Sequence, residues 1–190
     1  RLWYMDRADH DRPKSIEREL HVVSYNGEME QALADLDDWV AAGAAPPATT
    51  GYRVTDDTQV VLTDDVAQRG GVQPIVTLSP DCAQVSVGDR VTLVASAECP
   101  PDAGSVVGVD WDLDGSGRFA HSSSISSPAP RVECPIEFDA PAPGTHFVTV
   151  RVTSNREGEP KAPFRRIQNL ARARVVVSAS ESPHVGDTAP

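Results

Sequence analysis

Hydrophobic and polar residues alternate with a period of two in five runs between residues 74 and 177. The runs are 74–78, 90–97, 107–113, 148–152 and 171–177. Because alternate side chains of a strand point to the same face, each run predicts a strand with one buried face. Turn-forming residues at 87–89, 100–104 and 142–144 separate the runs. With Trp111 on a central strand, the pattern predicts a mainly β fold, an immunoglobulin-like antiparallel sandwich over 74–178.

The first half of the chain contains one strong helical pattern. Its apolar residues recur at spacings of four, three, three and one, at Met29, Leu33, Leu36, Trp39 and Val40. This spacing forms a single stripe on a helix. Asn26 is the predicted N-cap, Gly43 is predicted to end the helix in a left-handed turn, and Pro46-Pro47 prevents its continuation. One helix cannot enclose a core, so we expect the stripe to need a partner surface, a sheet outside these residues.

Composition divides the chain into four zones. They are 1–43, with a short apolar strand, a polar loop and the helix; 44–73, a linker with short strands; 74–178, the sandwich; and 179–190, a small polar tail predicted to be disordered. The first residue is Arg1, and Leu2-Trp3-Tyr4 has the pattern of a strand. We therefore interpret the chain as a fragment of a longer polypeptide.

Charge and hydropathy argue against two classes of partner. The chain has 28 acidic and 17 basic residues, a formal net charge of −11. This is the wrong sign for binding a phosphate backbone, so we expect no nucleic-acid partner. No apolar run approaches the roughly 18 residues of a membrane-spanning helix, so we expect no membrane span. Nothing in the sequence indicates an oligomeric state.

The three cysteines, Cys82, Cys99 and Cys134, all lie within the predicted sandwich, 74–178. An odd number leaves at least one without an intramolecular partner, and the lack of a Cys-x-x-Cys pair argues against structural zinc. Two interpretations are open: three reduced and partly buried thiols, or one disulfide formed in an oxidising compartment. For a disulfide we predict Cys99–Cys134, with Cys82 free.

The segment after Trp111 has the spacing of the first half of a calcium-binding loop. Asp112, Asp114 and Ser116 occupy positions 1, 3 and 5 of such a loop. Position 12 is Ser123, where these loops have a bidentate glutamate. The alternative is a glycine-rich turn in which the aspartates accept hydrogen bonds from backbone amides. Calcium bound by Asp112, Asp114 and Ser116 is therefore one of two hypotheses for this loop.

The polar positions of the sandwich strands form a further candidate surface. If the strands around residues 111, 150 and 173 share a sheet, one face carries Asp110, Asp112, Arg151, Arg172 and Arg174. These side chains form either a cross-strand charge ladder or an exposed face for a polysaccharide or protein partner. Sugar-binding faces usually display aromatic rings, and Trp111 is predicted to be core. The charge ladder is therefore favoured.

Two motifs of the sandwich region resemble those of PKD (polycystic kidney disease) domains. Residues 109–115, Val-Asp-Trp-Asp-Leu-Asp-Gly, resemble the family's Trp-Asp-Phe-x-Asp-Gly signature. Residues 143–152, which begin Pro-Gly-Thr-His-Phe-Val, resemble its Pro-Gly-x-Tyr-x-Val-x-Leu-x-Val strand. The resemblance implies an extracellular sandwich, often appended to bacterial hydrolases, that contacts protein or carbohydrate or acts as a spacer. We accordingly expect a secreted or periplasmic location.

The start of the chain resembles the C-terminal end of bacterial α/β-hydrolases of the tannase and feruloyl-esterase type. The similar residues are Arg1-Leu2-Trp3-Tyr4, the loop 6–10, the segment 21–25, Trp39-Val40 and Pro46-Pro47. The resemblance implies that His10 is the general base of a serine-esterase triad and that the helix packs on the hydrolase sheet. The alternative for His10 is a solvated loop histidine between two aspartates.

Catalysis by these residues alone is not expected. A serine-esterase triad needs a nucleophile and an oxyanion hole, and no Gly-x-Ser-x-Gly elbow occurs in the sequence. The sequence therefore favours a non-catalytic accessory, binding or spacer module attached to a truncated hydrolase domain. The enzyme alternative is the C-terminal part of a serine esterase that uses His10 and is inactive in this fragment.

Overall fold

Two β-sheets packed face to face dominate this computed structural model, which describes residues 23–179. The elements in chain order are α1 (Asn26–Ala42), β1 (Tyr52–Val54), β2 (Val60–Leu62), α2 (Val66–Arg69), β3 (Ile75–Ser79), β4 (Cys82–Ser86), β5 (Arg90–Glu98), β6 (Ser105–Asp112), β7 (His121–Ser123), β8 (Arg131–Asp139), β9 (Gly144–Asn155) and β10 (Ile167–Ser178). The predicted mainly β class is confirmed. The strand expected at Leu2-Trp3-Tyr4 lies outside the described residues.

The strand order identifies the type of sandwich. The larger sheet has the order β4-β10-β9-β6-β7 and the smaller sheet has the order β3-β5-β8. Adjacent strands are antiparallel, except that β4 runs parallel to β10. Strands β3, β5 and β8 take the places of A, B and E in an immunoglobulin-like fold, and β6, β9 and β10 take those of C, F and G. The sequence prediction of an immunoglobulin-like sandwich is thus confirmed.

The core lies between the two sheets and is built from the alternating positions of the central strands. Its buried members include Val91, Leu93, Ala95 and Ala97 of β5, Val148, Val150 and Val152 of β9, and Ala173, Val175 and Val177 of β10. Trp111 is fully buried, and its indole N–H donates to the hydroxyl of Ser123 on β7 at 2.8 Å. The large ring therefore fills the core while its polar atom stays satisfied.

Strand β6 departs from the predicted alternation at its start. A β-bulge shifts the register between Val106 and Gly108, and both Val106 and Val107 are buried. A bulge sets two consecutive residues against one partner residue, so strict alternation begins only at Val109. The predicted inward face therefore holds for Val109 and Trp111, and Leu113, one residue beyond the end of the strand, is partly buried against the core.

Helix α1 forms where the apolar stripe predicted it, but one of its ends differs. Gly43 has a φ of 70°, and its N–H donates to the carbonyl of Trp39 at 2.9 Å, as expected for a left-handed helix end. The predicted Asn26 cap is wrong. Tyr25 occupies the N-cap position, and the N–H of Asn26 itself donates to the hydroxyl of Ser24 at 3.3 Å.

The segment between α1 and the sandwich has secondary structure of its own and is also hydrogen-bonded to the sandwich. Strands β1 and β2 form an antiparallel hairpin, and Asp65 caps α2 by accepting two backbone N–H groups. The side chain of Gln73 donates to the carbonyl of Gln168 at 2.7 Å, and Asn169 donates to the carbonyl of Pro74 at 2.7 Å. The chain therefore enters the sandwich beside the start of β10.

Within residues 23–179, neither helix is both long and apolar enough to cross a bilayer.

Candidate functional site

The loop after β6 is organised by the side chains of Asp112 and Asp114. The Asp112 carboxylate accepts the N–H groups of Ser116 at 3.2 Å and Gly117 at 2.7 Å. Asp114 also accepts the Ser116 N–H, at 3.0 Å. Asp112 is fully buried and Asp114 is exposed. In the structure both aspartates therefore bind backbone amides, which is the second of the two arrangements considered from the sequence.

The electrostatics of this loop favour a charged Asp114. A hydrogen bond from the Ser116 side chain first, then one shared with the Asp112 side chain and one from the Ser116 amide, lower the pKa of Asp114 to about 2. Across residues 23–179, no three His, Cys, Asp or Glu side chains converge as a set of metal ligands. Calcium binding by Asp112, Asp114 and Ser116 remains a prediction.

Charged and aromatic side chains on the outer face of the larger sheet contact one another. Arg151 lies opposite Asp110 in the register of β6 and β9 and donates to its carboxylate at 3.0 Å. Asp110 also accepts the hydroxyl of Ser122 at 2.7 Å, and the Arg151 guanidinium lies 4.3 Å from the ring centre of Phe119. Of the predicted charge ladder, the structure contains this cross-strand pair, Asp110 with Arg151.

Two further arginines lie on β10 at the same face. The guanidinium of Arg172 is 4.8 Å from the ring centre of Phe147, a side chain that is 41% exposed. Arg174 reaches the neighbouring edge strand, where its Nη2 lies 3.5 Å from the sulfur of Cys82. Asp112, which we expected on this surface, is instead buried in its own loop. The face therefore combines an ion pair with two arginine–aromatic contacts.

The three cysteines are free thiols, so the predicted Cys99–Cys134 disulfide is wrong. In the register of β5 and β8, Cys134 lies opposite Ala95, four residues before Cys99. At a rise of roughly 3.3 Å per residue, the two cysteines are about 13 Å apart along the strands. A disulfide requires Cα atoms within about 7 Å. Burial raises the pKa of Cys99 to about 11, so this thiol stays neutral at physiological pH.

Helix α1 packs on the sandwich through polar side chains. The two terminal guanidinium nitrogens of Arg156, in the loop between β9 and β10, donate to the Asp35 carboxylate, Nη2 at 3.2 Å. Gln31 donates to the same carboxylate at 3.0 Å. Nearby, Glu30 accepts the backbone N–H of Arg165 at 2.6 Å. Because Gln31 and Asp35 are almost fully buried, these bonds are shielded from water and fix the helix to the loop.

The first turn of α1 approaches the sandwich too closely for any side chain. A Cβ on Gly27 would lie 1.9 Å from the carbonyl oxygen of Arg166. Gly27, Gln31 and Asp35 follow one another at a spacing of four, so they lie on one face of the helix. Sequence reasoning missed this contact face because its residues are small or polar. Their regular spacing, opposite the apolar stripe, was the only signal present.

Asp35 is ionised in this contact. Burial by itself raises the pKa of Asp35, but the hydrogen bonds from Arg156 and Gln31, together with the positive charge of Arg156, lower it overall. The carboxylate and guanidinium therefore form an ion pair that is mostly removed from solvent. Such a pair fixes orientation, since the loss of either partner leaves a charge in a poorly hydrated site.

Because α1 packs through its polar face, its apolar stripe points to solvent. The exposed fractions are 56% for Met29, 63% for Leu33, 50% for Leu36, 54% for Trp39 and 79% for Val40. Tyr25, 73% exposed, extends the stripe toward the helix start. The sheet that we expected to cover these side chains is not supplied by residues 23–179. This stripe is the largest set of exposed apolar side chains on one element in the described chain.

An open cleft of roughly 800 Å³ lies between α2 and the turn from β5 to β6. Its charged lining residues are Asp64, Asp65, Glu98, Asp102 and Arg156. The single arginine is already paired with Asp35. The cleft therefore presents an acidic wall, which matches the overall charge of the chain.

His10, the candidate triad base, lies outside the described residues. Its catalytic role and its alternative as a solvated loop histidine both remain predictions.

Comparison with known proteins gave structural matches only, since no family profile and no curated protein matches the chain. The fibronectin(III)-like modules of Clostridium thermocellum CbhA match at 15% identity over 72% of this chain and 67% of theirs, with a TM-score of 0.40. A Pyrococcus furiosus CARDB domain, solved in complex with di-metal ions, matches at 14% identity over 57% of this chain and 94% of that chain, with a TM-score of 0.41. The four N-terminal Ig domains of Dscam1 isoform 4.44 match at 12% identity over 70% of this chain, with a TM-score of 0.32. Only 38% of the Dscam1 chain is covered. The immunoglobulin-like assignment rests on the strand order described above.

Proposed function

We propose that this chain is a non-catalytic accessory module whose β-sandwich acts as a spacer within a longer, secreted or periplasmic polypeptide. The observation that supports this best is the position of the two ends of the sandwich. The chain enters at Pro74, which is bonded to Asn169 near the start of β10, and leaves at Ser178, the end of the same strand. At roughly 3.3 Å per residue, the entry and exit points are about 30 Å apart. A domain with its ends at opposite poles separates whatever precedes it from whatever follows.

The outer face of the larger sheet also favours a spacer over a module that binds ligands through that face. Asp110, Arg151 and Phe119 contact one another there, and the guanidinium of Arg172 lies over the ring of Phe147. Side chains that already satisfy one another gain little from a new partner, because the existing contacts must first be given up. The resemblance to PKD domains supports the same proposal, because a spacer is one of the roles that it implies.

Two measurements on the full chain test the spacer function. Spin labels at Gln73→Cys, beside the entry point, and Ser178→Cys, in a Cys82→Ser background, should give one narrow distance distribution centred at about 30 Å. The same background without the added cysteines is the labelling control. Arrays of polysaccharides and cell-surface proteins should retain no wild-type chain. Retention that is lost in Phe147→Ala or Arg172→Ala would replace the spacer with a binding module that uses this face.

The second candidate is the C-terminal part of a serine esterase with His10 as the general base. It is supported by the helix at Asn26–Ala42, which ends at Gly43 before Pro46-Pro47 as the hydrolase resemblance implies. The upstream gene sequence decides between the candidates. A Gly-x-Ser-x-Gly elbow followed by an acidic residue before Arg1 would establish the esterase, and a His10→Ala variant of that longer enzyme should then lose activity. An upstream sequence without the elbow would rule it out.

The calcium hypothesis has its own experiment. Calcium bound by Asp112, Asp114 and Ser116 would stabilise the folded chain, so millimolar calcium would raise the Tm of the wild type. An Asp114→Asn variant is the control and should show a smaller rise. An unchanged wild-type Tm ends the hypothesis.

A further inference from the structure

We infer that α1 is a docking site for a separate partner protein whose surface combines an apolar groove with lysine or arginine side chains along its rim. The site is the apolar stripe defined above, from Met29 to Val40, with the acidic side chains beside it. This inference does not depend on the spacer function, and it is incompatible with the esterase candidate, in which the helix packs on the hydrolase sheet. It rests on how the helix is held, how large the exposed stripe is, and which charge surrounds it.

The contacts that hold α1 leave the stripe free. In a helix with 3.6 residues per turn, Gln31 points about 160° away from both Met29 and Leu33. Gln31 is buried against the sandwich, and the ion pair of Asp35 with Arg156 lies on the same side. The sandwich therefore orients the stripe outward and holds it in a fixed position. A helix fixed in this way loses little conformational entropy when a partner binds.

The stripe is large enough for specific recognition. From Tyr25 to Val40 it extends along fifteen residues, or about 22 Å at 1.5 Å per residue. All of its side chains are at least half exposed. Helix-in-groove recognition uses anchors at such positions, and Met29, Leu33, Leu36 and Val40 have the required spacing of four, three and four. An aromatic anchor, Trp39, lies beside them, and tryptophan is among the residues most often dominant in interfaces.

The charge around the stripe specifies the chemistry of the partner. Helix α1 itself carries five acidic residues, of which Asp35 is paired with Arg156 on the buried side. Helix α1 has no Lys or Arg, and Asp37 and Glu30 lie along one edge of the stripe. Potentials across an interface are complementary, so the partner should carry positive charge around its apolar groove.

The same charge argues against two other occupants. Two copies of α1 packed through their stripes would bring the acidic edges of both helices together, which is unfavourable. Residues 1–22 contain five acidic and five basic residues and so supply no excess positive charge. Neither a second copy nor the preceding segment of this chain matches the surface as well as a basic partner protein.

The test uses the full chain and two synthetic amphipathic helical peptides as probes. Both peptides carry the same leucine stripe, and their remaining positions are lysine in one and glutamate in the other. A Trp3→Phe background leaves Trp39 as the exposed indole, because Trp111 is fully buried. We expect the lysine peptide to shift the Trp39 emission to shorter wavelength and to bind at least about tenfold more tightly than the glutamate peptide. Its affinity should fall as salt rises to about 0.5 M.

Matched variants separate docking from general attraction between opposite charges. The double variant Leu33→Ser/Leu36→Ser keeps every charge and should abolish binding, with circular dichroism checking that the helix remains. Phe147→Ser removes another exposed apolar side chain, 41% exposed and nine residues before Arg156, or about 30 Å from the contact with α1, and should leave binding unchanged. Asp37→Asn should weaken binding, whereas Asp102→Asn, an exposed carboxylate in the turn from β5 to β6, should not.

Any one of the following results would overturn the inference. One is equal affinity for the two peptides, or binding that survives in the leucine double variant. Another is a dimer in sedimentation that disappears in that variant, which assigns the stripe to a second copy. A red shift of the Trp39 emission in Leu2→Ser/Tyr4→Ser without peptide assigns the stripe to residues 1–22. A larger blue shift with phosphatidylcholine vesicles than with the lysine peptide assigns it to a membrane surface.

Discussion

The carboxylate of Asp112 shows how one buried side chain can define a loop. It accepts two backbone N–H groups, from Ser116 and Gly117, in a fully buried position. Removing it leaves the partly buried Gly117 N–H without this partner, while the Ser116 N–H keeps Asp114, and an unpaired donor of this kind costs about 1–3 kcal/mol. We therefore expect Asp112→Ala to lower the free energy of unfolding by about 2 kcal/mol in urea titrations. The exposed Asp114→Ala is the control, and an equal loss in both variants would contradict this role.

Asp114 gives the loop a pH dependence of known sign. Its folded-state pKa of about 2 lies below the ordinary value of 3.8, so ionisation favours the folded state. The stabilisation is complete above pH 3.8 and is lost as the pH falls through about 2. We expect its carboxyl carbon to titrate with a midpoint of about 2 by NMR. Ser116→Ala removes the largest cause and should move the midpoint toward 3.8; a wild-type midpoint of 3.8 would refute the assignment.

The reactivity of the three thiols tests the register of β5 against β8, which keeps Cys99 and Cys134 too far apart for a disulfide. Cys82 is exposed, whereas Cys99 and Cys134 are buried and unbridged. A thiol reagent at neutral pH should therefore modify one cysteine quickly in the native chain and all three after unfolding without reductant. Cys82→Ser should abolish the fast reaction. Recovery of a single thiol in the unfolded, unreduced chain would restore the predicted disulfide.

These residues also show what the sequence could and could not predict locally. The burial of Trp111 followed from its place in an alternating run, because alternation is a property of neighbouring residues. The failure of the Cys99–Cys134 bridge depended on the register of β5 against β8, which no local pattern contains. The aspartates of the calcium-like loop had two possible sets of partners, and backbone conformation selects between them.

At the scale of elements, α1 is held by a polar contact that should respond to mutation and to acid. Asp35→Ala leaves the Arg156 guanidinium without its carboxylate, so we expect amide hydrogen exchange in α1 to accelerate at least tenfold, or about 1.4 kcal/mol. The pKa of Asp35 is lowered, so the contact is fully formed above pH 3.8 and weakens as the pH falls below that value. Asp37→Ala, on the exposed side of the same helix, is the matched control. Equal exchange in both variants would show that Asp35 does not hold the helix.

Elements with long regular hydrophobic patterns could be predicted from the sequence, whereas elements that form only through contacts with distant residues could not. Helix α1 and strands β3, β5, β9 and β10 follow from their own periodicity. Strand β8 also alternates, but Pro135 obscured it, since proline is excluded from central strands and tolerated at a free edge. Strand β7 has only three residues and exists because it pairs with β6 beside Trp111. The contact of Asp35 with Arg156 joins residues 121 positions apart, which no sequence period encodes.

At the scale of the whole molecule, two tryptophans have opposite environments. Trp111 is buried in the core of the sandwich, and Trp39 lies on the exposed stripe of α1. Truncating a buried tryptophan costs about 3–5 kcal/mol through lost burial and the cavity left behind, so we expect this loss in Trp111→Ala. Trp39 is 54% exposed, and Trp39→Ala should change the free energy of unfolding by no more than about 0.5 kcal/mol. Urea denaturation followed by far-ultraviolet circular dichroism measures both variants. A loss of stability in Trp39→Ala comparable to that in Trp111→Ala would mean that the stripe is already covered within the chain. The docking site would then be wrong, whereas the sandwich and its spacer function would be unaffected.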